Sequence, residues 1–281
     1  MRRSIIASAA GLLIVAAAPA AAQLAKSDDG GVKVKPPSLM RRLVPAEKLE
    51  KVAAEQYGQL RAQAMSRNAL VAADDPVATR VGRIAQDLMA FTPKWNARAK
   101  DWRWDVTIIK TPTINALCMP GGKIAVFTGI IDTLKLTDDE LAVVLGHEMA
   151  HALREHARAR TAKVTLTNVG TLAIGLVIGG NVAELARQGG GLLALKFNRD
   201  DERDADLVGL ELAARAGYEP RAGVTLWQKM AAASSGGGTP EFLSTHPARE
   251  TRIRDIEANI PKVEGLYERA EKPAKRFAPM E

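Results

Sequence analysis

The sequence is poor in several kinds of side chain, and each shortage narrows the class of protein. A single Cys among 281 residues excludes an internal disulfide framework. Aromatic residues make up only 4% of the chain, so the core must consist mainly of Leu, Val, Ile and Ala. Only 4 His are present, so a regular spacing between two of them is informative. The hydrophobic share of 47% and the charged share of 25% are typical of a globular protein.

The apolar run near the N-terminus, Ile5–Ala18, is shorter than the roughly 20 residues that a membrane-spanning helix needs. It comes after a basic start at Arg2 and Arg3 and before a group of small residues. This arrangement predicts a secretory signal peptide over 1–22 that is cleaved before Gln23. An uncleaved membrane anchor is the alternative.

A concentrated basic patch is missing, although the chain is basic overall. The net charge is +7, but Lys and Arg are scattered and lack the interleaved aromatic residues of a nucleic-acid groove. We therefore expect no nucleic acid among the partners, and no small organic cofactor. A solvated basic surface is the ordinary interpretation, and peripheral contact with an anionic membrane is the alternative.

Composition divides the chain into a long folded part and two polar ends. Residues 23–44 are rich in Gly, Pro and charge, which is typical of a flexible arm. Residues 45–265 alternate helical and extended patterns and are expected to form one domain, followed by a basic tail at 266–281. Residues 164–196 are apolar and rich in Gly, which favours a helical hairpin, with membrane contact as the alternative.

The stretch "HEMAH" places His147 and His151 four residues apart, with a carboxylate directly after the first. A capping box of Thr137 and Glu140 predicts that an amphipathic helix begins just upstream. Because residues four apart share one face of a helix, the two imidazoles can bind one zinc ion. Glu148 is turned away from this pair and can act as the base that removes a proton from the attacking water.

A catalytic zinc takes three protein ligands and keeps one position open, so a further ligand is needed. His156 is expected to be turned off the face of His151 and solvated. The segment "ERDAD" supplies Glu202 and Asp206, four apart on a predicted helix. Glu202 can complete a site for one Zn²⁺ per chain, and Asp206 can accept a hydrogen bond from a ligand imidazole. Alone, this pair would indicate a solvated acidic face, but its place downstream of the histidine pair favours the ligand role.

Together these motifs resemble the M48 peptidases, which are zinc metalloproteases of the gluzincin type. The resemblance rests on "HEMAH", on "ERDAD", on "STHPAR" at 244–249 and on "NALCMPGGKIAVFTGI" at 115–130, and it covers Leu43 to Ile260. It implies an α+β fold: a mostly helical, thermolysin-like zincin with a small sheet packed over the HExxH helix. No 34-residue period is visible, so the chain is expected to be of the type without a tetratricopeptide domain.

The resemblance also implies a function. Signal-bearing bacterial members of this family act in the periplasm on unfolded or misassembled envelope proteins. A zinc-dependent endopeptidase of periplasmic quality control is therefore expected. The alternative is a chaperone-like envelope assembly factor whose zinc site is latent or regulatory. The presence of Glu148 argues against a purely structural site, because a structural zinc has four closed ligands and needs no base.

An edge strand of the sheet could hold an extended substrate by pairing with its backbone. The expected strand is the β-branched segment before the metal helix, and a paired interior strand is the alternative. Its residues are Lys123, Ile124, Ala125, Val126 and Phe127.

His246 lies in "STHPAR", at a position that in the resembling family is close to the metal. It could take a fourth ligand position and hold the enzyme latent, or it could donate a hydrogen bond to the oxyanion of the reaction. Pro247 follows, so His246 is expected outside a regular helix. Arg252 is expected to help position this loop.

Overall fold

The computed structural model describes residues 30–169, 191–192, 195–234, 240–247, 250–274 and 276–277. The expected signal peptide at 1–22 and most of the expected hairpin at 164–196 lie outside the described residues. Among the described residues, no helix has both the length and the apolar character that crossing a membrane requires.

The described part is mostly helical and includes one small sheet, which confirms the expected α+β fold class. The helices are α1 (Ala46–Ser66), α2 (Pro76–Met89), α3 (Thr128–Leu134), α4 (Asp138–Leu153), α5 (His156–Val169), α6 (Arg199–Arg215), α7 (Ala222–Ser234), α8 (Glu241–Thr245) and α9 (Glu250–Arg269). The strands are β1 (Asp105–Ile109), β2 (Ala116–Met119) and β3 (Lys123–Phe127). Short 3-10 helices cover Leu39–Leu43, Thr92–Lys94 and Ala97–Asp101.

The strand order is β1-β3-β2, so β3 is the central strand. It pairs with β1 in parallel and with β2 in antiparallel fashion. The prediction that Lys123–Phe127 forms an edge strand is therefore wrong, because both of its edges are already paired. Gly121 and Gly122 have positive φ and make the tight turn that folds β2 back onto β3. In the described part of the chain, β2 is the edge strand on this side.

Helix α4 begins at the predicted capping box, in which Thr137 and Glu140 bond each other's backbone N–H groups. It is buried on all sides rather than amphipathic, because every residue from Glu140 to Leu153 is buried. The sheet, α2, α6 and α7 all pack against it. A helix surrounded in this way is the centre of the fold, so packing on several sides holds its side chains in place.

Helices α4 and α6 cross at two glycines, Gly146 and Gly209. A Cβ atom added to Gly146 would lie 2.7 Å from the carbonyl oxygen of Gly209, and one added to Gly209 would lie 2.6 Å from the backbone nitrogen of His147. Such distances are far below van der Waals contact, so only glycine fits at either position. The close crossing brings the acidic side chains of α6 up to the histidines of α4.

Residues 30–44 pack against the domain, which differs from the flexible arm expected over 23–44. The Gly31 N–H donates to the carbonyl of Lys262 at 3.0 Å, and the Val32 N–H donates to the carboxylate of Glu211 at 2.8 Å. Gly31 has a positive φ and lies directly on the Glu211 side chain, where a Cβ would collide with it. A glycine that looked like a loop residue is thus required for packing.

The basic tail expected at 266–281 also contacts the domain. Helix α9 continues to Arg269, past the expected boundary. Farther on, the Arg276 side chain donates to Asp139, and the Phe277 N–H donates to Asp138 at 2.8 Å. The end of the described chain therefore packs on the first turn of α4.

Candidate metal centre

Four buried side chains converge at one point between α4, α6 and the residue after α8. They are His147, His151, Glu202 and His246, and one nitrogen or oxygen atom from each lies within 4.8 Å of the others. Their exposed fractions are between 2% and 6%. The structure thus brings together the three predicted ligands, and it adds His246 beside them.

The facing atoms are ones that carry lone pairs. His147 Nε2 lies 3.1 Å from His151 Nε2 and 3.2 Å from His246 Nδ1, and the Glu202 carboxylate lies 3.4 Å from His151 Nε2. Burial lowers the pKa of His151 well below its usual value, so its imidazole is neutral and can be a ligand. Imidazole nitrogens and one carboxylate in a dry pocket are the donor set that zinc prefers, so these residues fit the ion.

Glu202 is ionised despite its burial. Burial alone would raise its pKa, but the adjacent side chains of His151 and His246 outweigh this effect and hold the pKa below its usual value. The Arg252 guanidinium also donates to its carboxylate at 2.8 Å. A buried carboxylate that stays charged at this position can serve as an anionic metal ligand.

Asp206 and Arg252 support the outer side of His147. Asp206 lies 3.0 Å from His147 Nδ1, which must carry the proton when the other atom is a carboxylate oxygen. Two nitrogens of Arg252 donate to Asp206 at 2.6 Å and 2.8 Å, and its guanidinium lies 3.5 Å from the ring centre of Trp227. Arg252, which was expected only to position a loop, therefore holds both Glu202 and Asp206 in place.

Glu148 lies beside His147 but faces the cleft next to β2. One of its carboxylate oxygens is buried and has no hydrogen-bond partner among the described residues. Burial raises the pKa of Glu148, although the nearby His246 and His147 partly oppose this effect. The same cleft is lined by Cys118 of the edge strand, His151 and His246. A carboxylate of raised pKa at a cleft wall is suited to accepting and returning a proton.

His246 follows α8 and precedes α9, so it lies outside a regular helix as expected. Its Nδ1 atom is 3.0 Å from Glu202, and its Nε2 atom is 3.5 Å from Glu148. The side chain therefore stands between the ligand carboxylate and the candidate base.

The prediction for His156 is wrong, because the side chain is buried and contacts His151. Helix α4 ends at Leu153, Glu155 adopts the left-handed conformation with φ 57°, and a new helix begins at His156. The spacing rule for one continuous helix does not apply across this break. Nothing in the local sequence indicated the break, since a non-glycine residue rarely takes this conformation.

His156 connects His151 to a further acid of α6. Its Nδ1 atom lies 2.9 Å from Nδ1 of His151, and its Nε2 atom lies 3.1 Å from the carboxylate of Asp204. Arg154 in turn donates to Asp204 at 2.6 Å. Asp204 is the central acid of "ERDAD", a position that the sequence did not single out.

A buried pair of histidines on an HExxH helix, with a glutamate from a second helix and a small sheet above, defines the class of zinc metallopeptidases. Residues 77–260 match Peptidase family M48, and the chain belongs to this family. Its motifs are those of the zinc metallopeptidases of this family, and the expected family resemblance is confirmed.

Curated relatives of the chain include eukaryotic and bacterial proteins. Mitochondrial metalloendopeptidase OMA1 of Schizosaccharomyces pombe is 35% identical over 192 residues, which are 67% of this chain and 55% of that protein. Metalloendopeptidase OMA1, mitochondrial, of Danio rerio is 33% identical over 227 residues, 74% of this chain and 46% of that protein. Beta-barrel assembly-enhancing protease of Escherichia coli is 31% identical over 161 residues, 53% of this chain and 32% of that protein. The chain thus spans about half or less of the length of these relatives.

Proposed function

We propose that this metalloprotease is an endopeptidase that cleaves unfolded or misassembled cell-envelope proteins in the periplasm. The observation that carries the proposal is the position of Glu148. Its buried carboxylate, with one oxygen that makes no hydrogen bond among the described residues, lies beside the converging ligands and faces a cleft bordered by the edge strand β2.

His147, His151 and Glu202 would hold the zinc, and Asp206 and Arg252 would orient two of them. The ion, when bound, supplies a Lewis acid that polarises the scissile carbonyl and makes hydroxide available at neutral pH. Glu148 takes a proton from the water that attacks the peptide carbonyl, and it then gives this proton to the leaving nitrogen. Its burial supports this role, because a raised pKa allows it both to accept and to release the proton.

The edge strand β2 replaces β3 as the proposed place for the substrate backbone. Only one of its edges, that toward β3, is paired with another strand in the described part of the chain. The strand also lines the cleft that contains Glu148 and His151. An extended peptide that adds to such an edge needs no particular sequence but must be unfolded.

The proposed location rests on the N-terminal segment and on one relative. The pattern over 1–22 is that of a cleaved signal peptide, and the name of the Escherichia coli relative refers to the assembly of β-barrels. The names of other relatives refer to mitochondria. Mass spectrometry of the native protein should find a chain that begins near Gln23. A protein that still carries residues 1–22 would contradict export with a cleaved signal peptide.

A latent or regulatory zinc site is the second candidate, and His246 favours it. With His246 among the ligand atoms, four protein groups surround the site, which is the closed arrangement of an inactive zinc. If the enzyme is latent, His246→Ala should raise the turnover of a peptide substrate. If His246 instead stabilises the oxyanion, the same variant should lower turnover while zinc stays bound. Unchanged turnover and zinc affinity would contradict both roles.

Metal analysis combined with a casein digest tests the main proposal. The mature chain should contain one zinc ion and cleave casein, and a chelator should abolish cleavage. Glu148→Gln should retain zinc but lose cleavage by about 10²–10⁴-fold, because general acid–base catalysis contributes a factor of this size. Glu241→Gln, at an exposed position, is the matched control and should cleave normally. Full cleavage by Glu148→Gln would rule out this mechanism.

A further inference from the structure

Each of the two ligand histidines has its outer nitrogen, Nδ1, in a series of hydrogen bonds that ends at a carboxylate and an arginine. We call each series a hydrogen-bond chain. For His147 the chain is direct: Asp206 accepts from the ring, and Arg252 holds Asp206. For His151 the chain is longer by one imidazole and reaches Asp204 and Arg154. Both carboxylates come from α6.

Hydrogen-bond chemistry determines where the protons lie along the longer chain. Asp204 is a carboxylate and only accepts, so His156 must donate to it from Nε2 at 3.1 Å. When His156 is uncharged, it carries one N–H, so its Nδ1 is then an acceptor. His151 must donate to it from its own Nδ1 at 2.9 Å. This leaves the lone pair of His151 Nε2 free, at the atom that faces the other ligands.

The surroundings of the chain keep this arrangement in place. His156 is 6% exposed, so water does not compete for its nitrogens. The Phe197 ring stacks on His151, with ring centres 4.0 Å apart and an angle of 22° between the planes. Arg154 is itself buried, and it donates both to Asp204 and to the carbonyl of Lys35 in the N-terminal segment. Rotation of either imidazole would break at least one of these contacts.

We propose that Asp204 and His156 are positioning residues, which hold His151 in the tautomer and orientation that binds the metal. The inference rests on the proposed ligand role of His151 and extends it to residues that neither the HExxH nor the ExxxD pattern specifies. Asp204 does for His151, through His156, what Asp206 does directly for His147. Outer partners of ligand histidines typically change metal affinity by about 10–100-fold when they are removed.

The test compares zinc affinities of the metal-free mature chain by competition with a chromogenic chelator. His156→Phe keeps a ring of similar size but removes both hydrogen bonds. Asp204→Asn keeps the shape but removes the charge, and its amide can present either its oxygen or its NH2 group to His156, so the side chain no longer fixes the proton order. Both variants should bind zinc about 10–100-fold more weakly than wild type. Asp200→Asn removes a carboxylate of the same helix that is largely exposed, and it should bind zinc as wild type does.

Nitrogen NMR of ¹⁵N-histidine-labelled protein gives a readout that simple packing would not change. The chain has only 4 His, and His156→Phe identifies the signals of that residue by their loss. In the wild type, His156 should be protonated on Nε2 and His151 on Nδ1. In Asp204→Asn this order should be reversed or mixed, with the metal-free fold retained by circular dichroism.

The outcomes separate this inference from the proposed function. If the wild type binds zinc and cleaves casein but both variants keep its zinc affinity, the positioning role is overturned and the function stands. Protonation of His156 on Nδ1 in the wild type would also overturn it. If the wild type binds no zinc, the proposed function fails and the inference fails with it. A variant that loses only thermal stability, with unchanged zinc affinity, would show that His156 acts through packing alone.

Discussion

Glu202 and Asp206 place two buried carboxylates next to a single guanidinium, that of Arg252. Burial would raise the pKa of Asp206, but Arg252 and His147 outweigh this effect and hold the pKa below its usual value. The excess negative charge therefore persists in a site from which water is excluded. Such a site favours a cation, and imidazole nitrogens complete its ligands.

Replacing the proposed ligand should be more damaging than replacing its neighbour on the same helix face. Glu202→Ala should lose most of its zinc on dialysis, because a direct anionic ligand is removed. Asp206→Ala should weaken zinc binding by about 10–100-fold, because His147 remains but is no longer oriented. Zinc content after dialysis against a weak chelator, measured by mass spectrometry, gives the order of the two variants. Normal zinc content in Glu202→Ala would mean that another group, with His246 the nearest candidate, is the third ligand.

The pair His147 and His151 could be predicted because both lie in one uninterrupted helix, where spacing alone determines the shared face. Glu202 and Asp206 could be predicted for the same reason. His156 was not, because its position depends on the left-handed residue Glu155 between two helices. Its burial is decided by tertiary packing, which local spacing does not report.

For the helices, the arrangement that matters most is the crossing of α4 and α6. The contact at Gly146 and Gly209 sets the distance between the histidines on one helix and the acids on the other. The sequence alone does not identify the backbone that Gly146 approaches. A glycine has no side-chain pattern of its own, so its partner becomes visible only in the folded chain.

Widening this crossing should damage both stability and metal binding. In Gly209→Ala, the new methyl group would lie 2.6 Å from the backbone nitrogen of His147, so the helices must separate. We expect a loss of about 1–3 kcal/mol in the free energy of unfolding, as for other overpacked cores, together with weaker zinc binding. Urea unfolding of the metal-free chain and chelator competition measure the two effects.

Gly58→Ala and Gly82→Ala are matched controls for this change. Both glycines lie inside helices, and a Cβ at either position meets nothing within 4 Å. These variants should leave zinc affinity unchanged and raise stability by up to about 1 kcal/mol, because alanine favours helix more than glycine does. An equally stable Gly209→Ala protein with normal zinc affinity would show that the crossing does not set the site geometry.

The order of the strands is the part of the sheet that the sequence could not provide. The sequence predicts an extended stretch at 103–110 and two short extended pieces within 114–129 around the turn at Pro120, Gly121 and Gly122. The parallel pairing of β1 with β3 joins residues far apart in sequence, so it leaves no local trace. This pairing places β3 in the centre and leaves β2 at the edge.

For the chain as a whole, both described ends pack on the domain that carries the metal centre. The N-terminal segment is held by Glu211 and by Arg154, and the C-terminal segment contacts the start of α4. The packing of residues 30–44 could not be predicted from the sequence, because a composition rich in Gly and Pro is typical both of a flexible loop and of an extended segment packed on the domain.

A substrate that must add its backbone to β2 has to be unfolded at the site of cleavage, and this requirement gives the last prediction. One polypeptide offered in two states tests it: a small disulfide-bonded protein in native form, and the same protein reduced and carboxymethylated. The unfolded form should be cleaved, while the native form should be cleaved only as fast as it opens locally, because a protease of extended segments acts on the open population. Gel electrophoresis over time measures both rates at equal protein concentration. A ligand that binds the native substrate should slow its cleavage further and leave the carboxymethylated form unaffected. Equal rates for the two forms would mean that the enzyme recognises a folded surface and that pairing with β2 is not how the substrate binds.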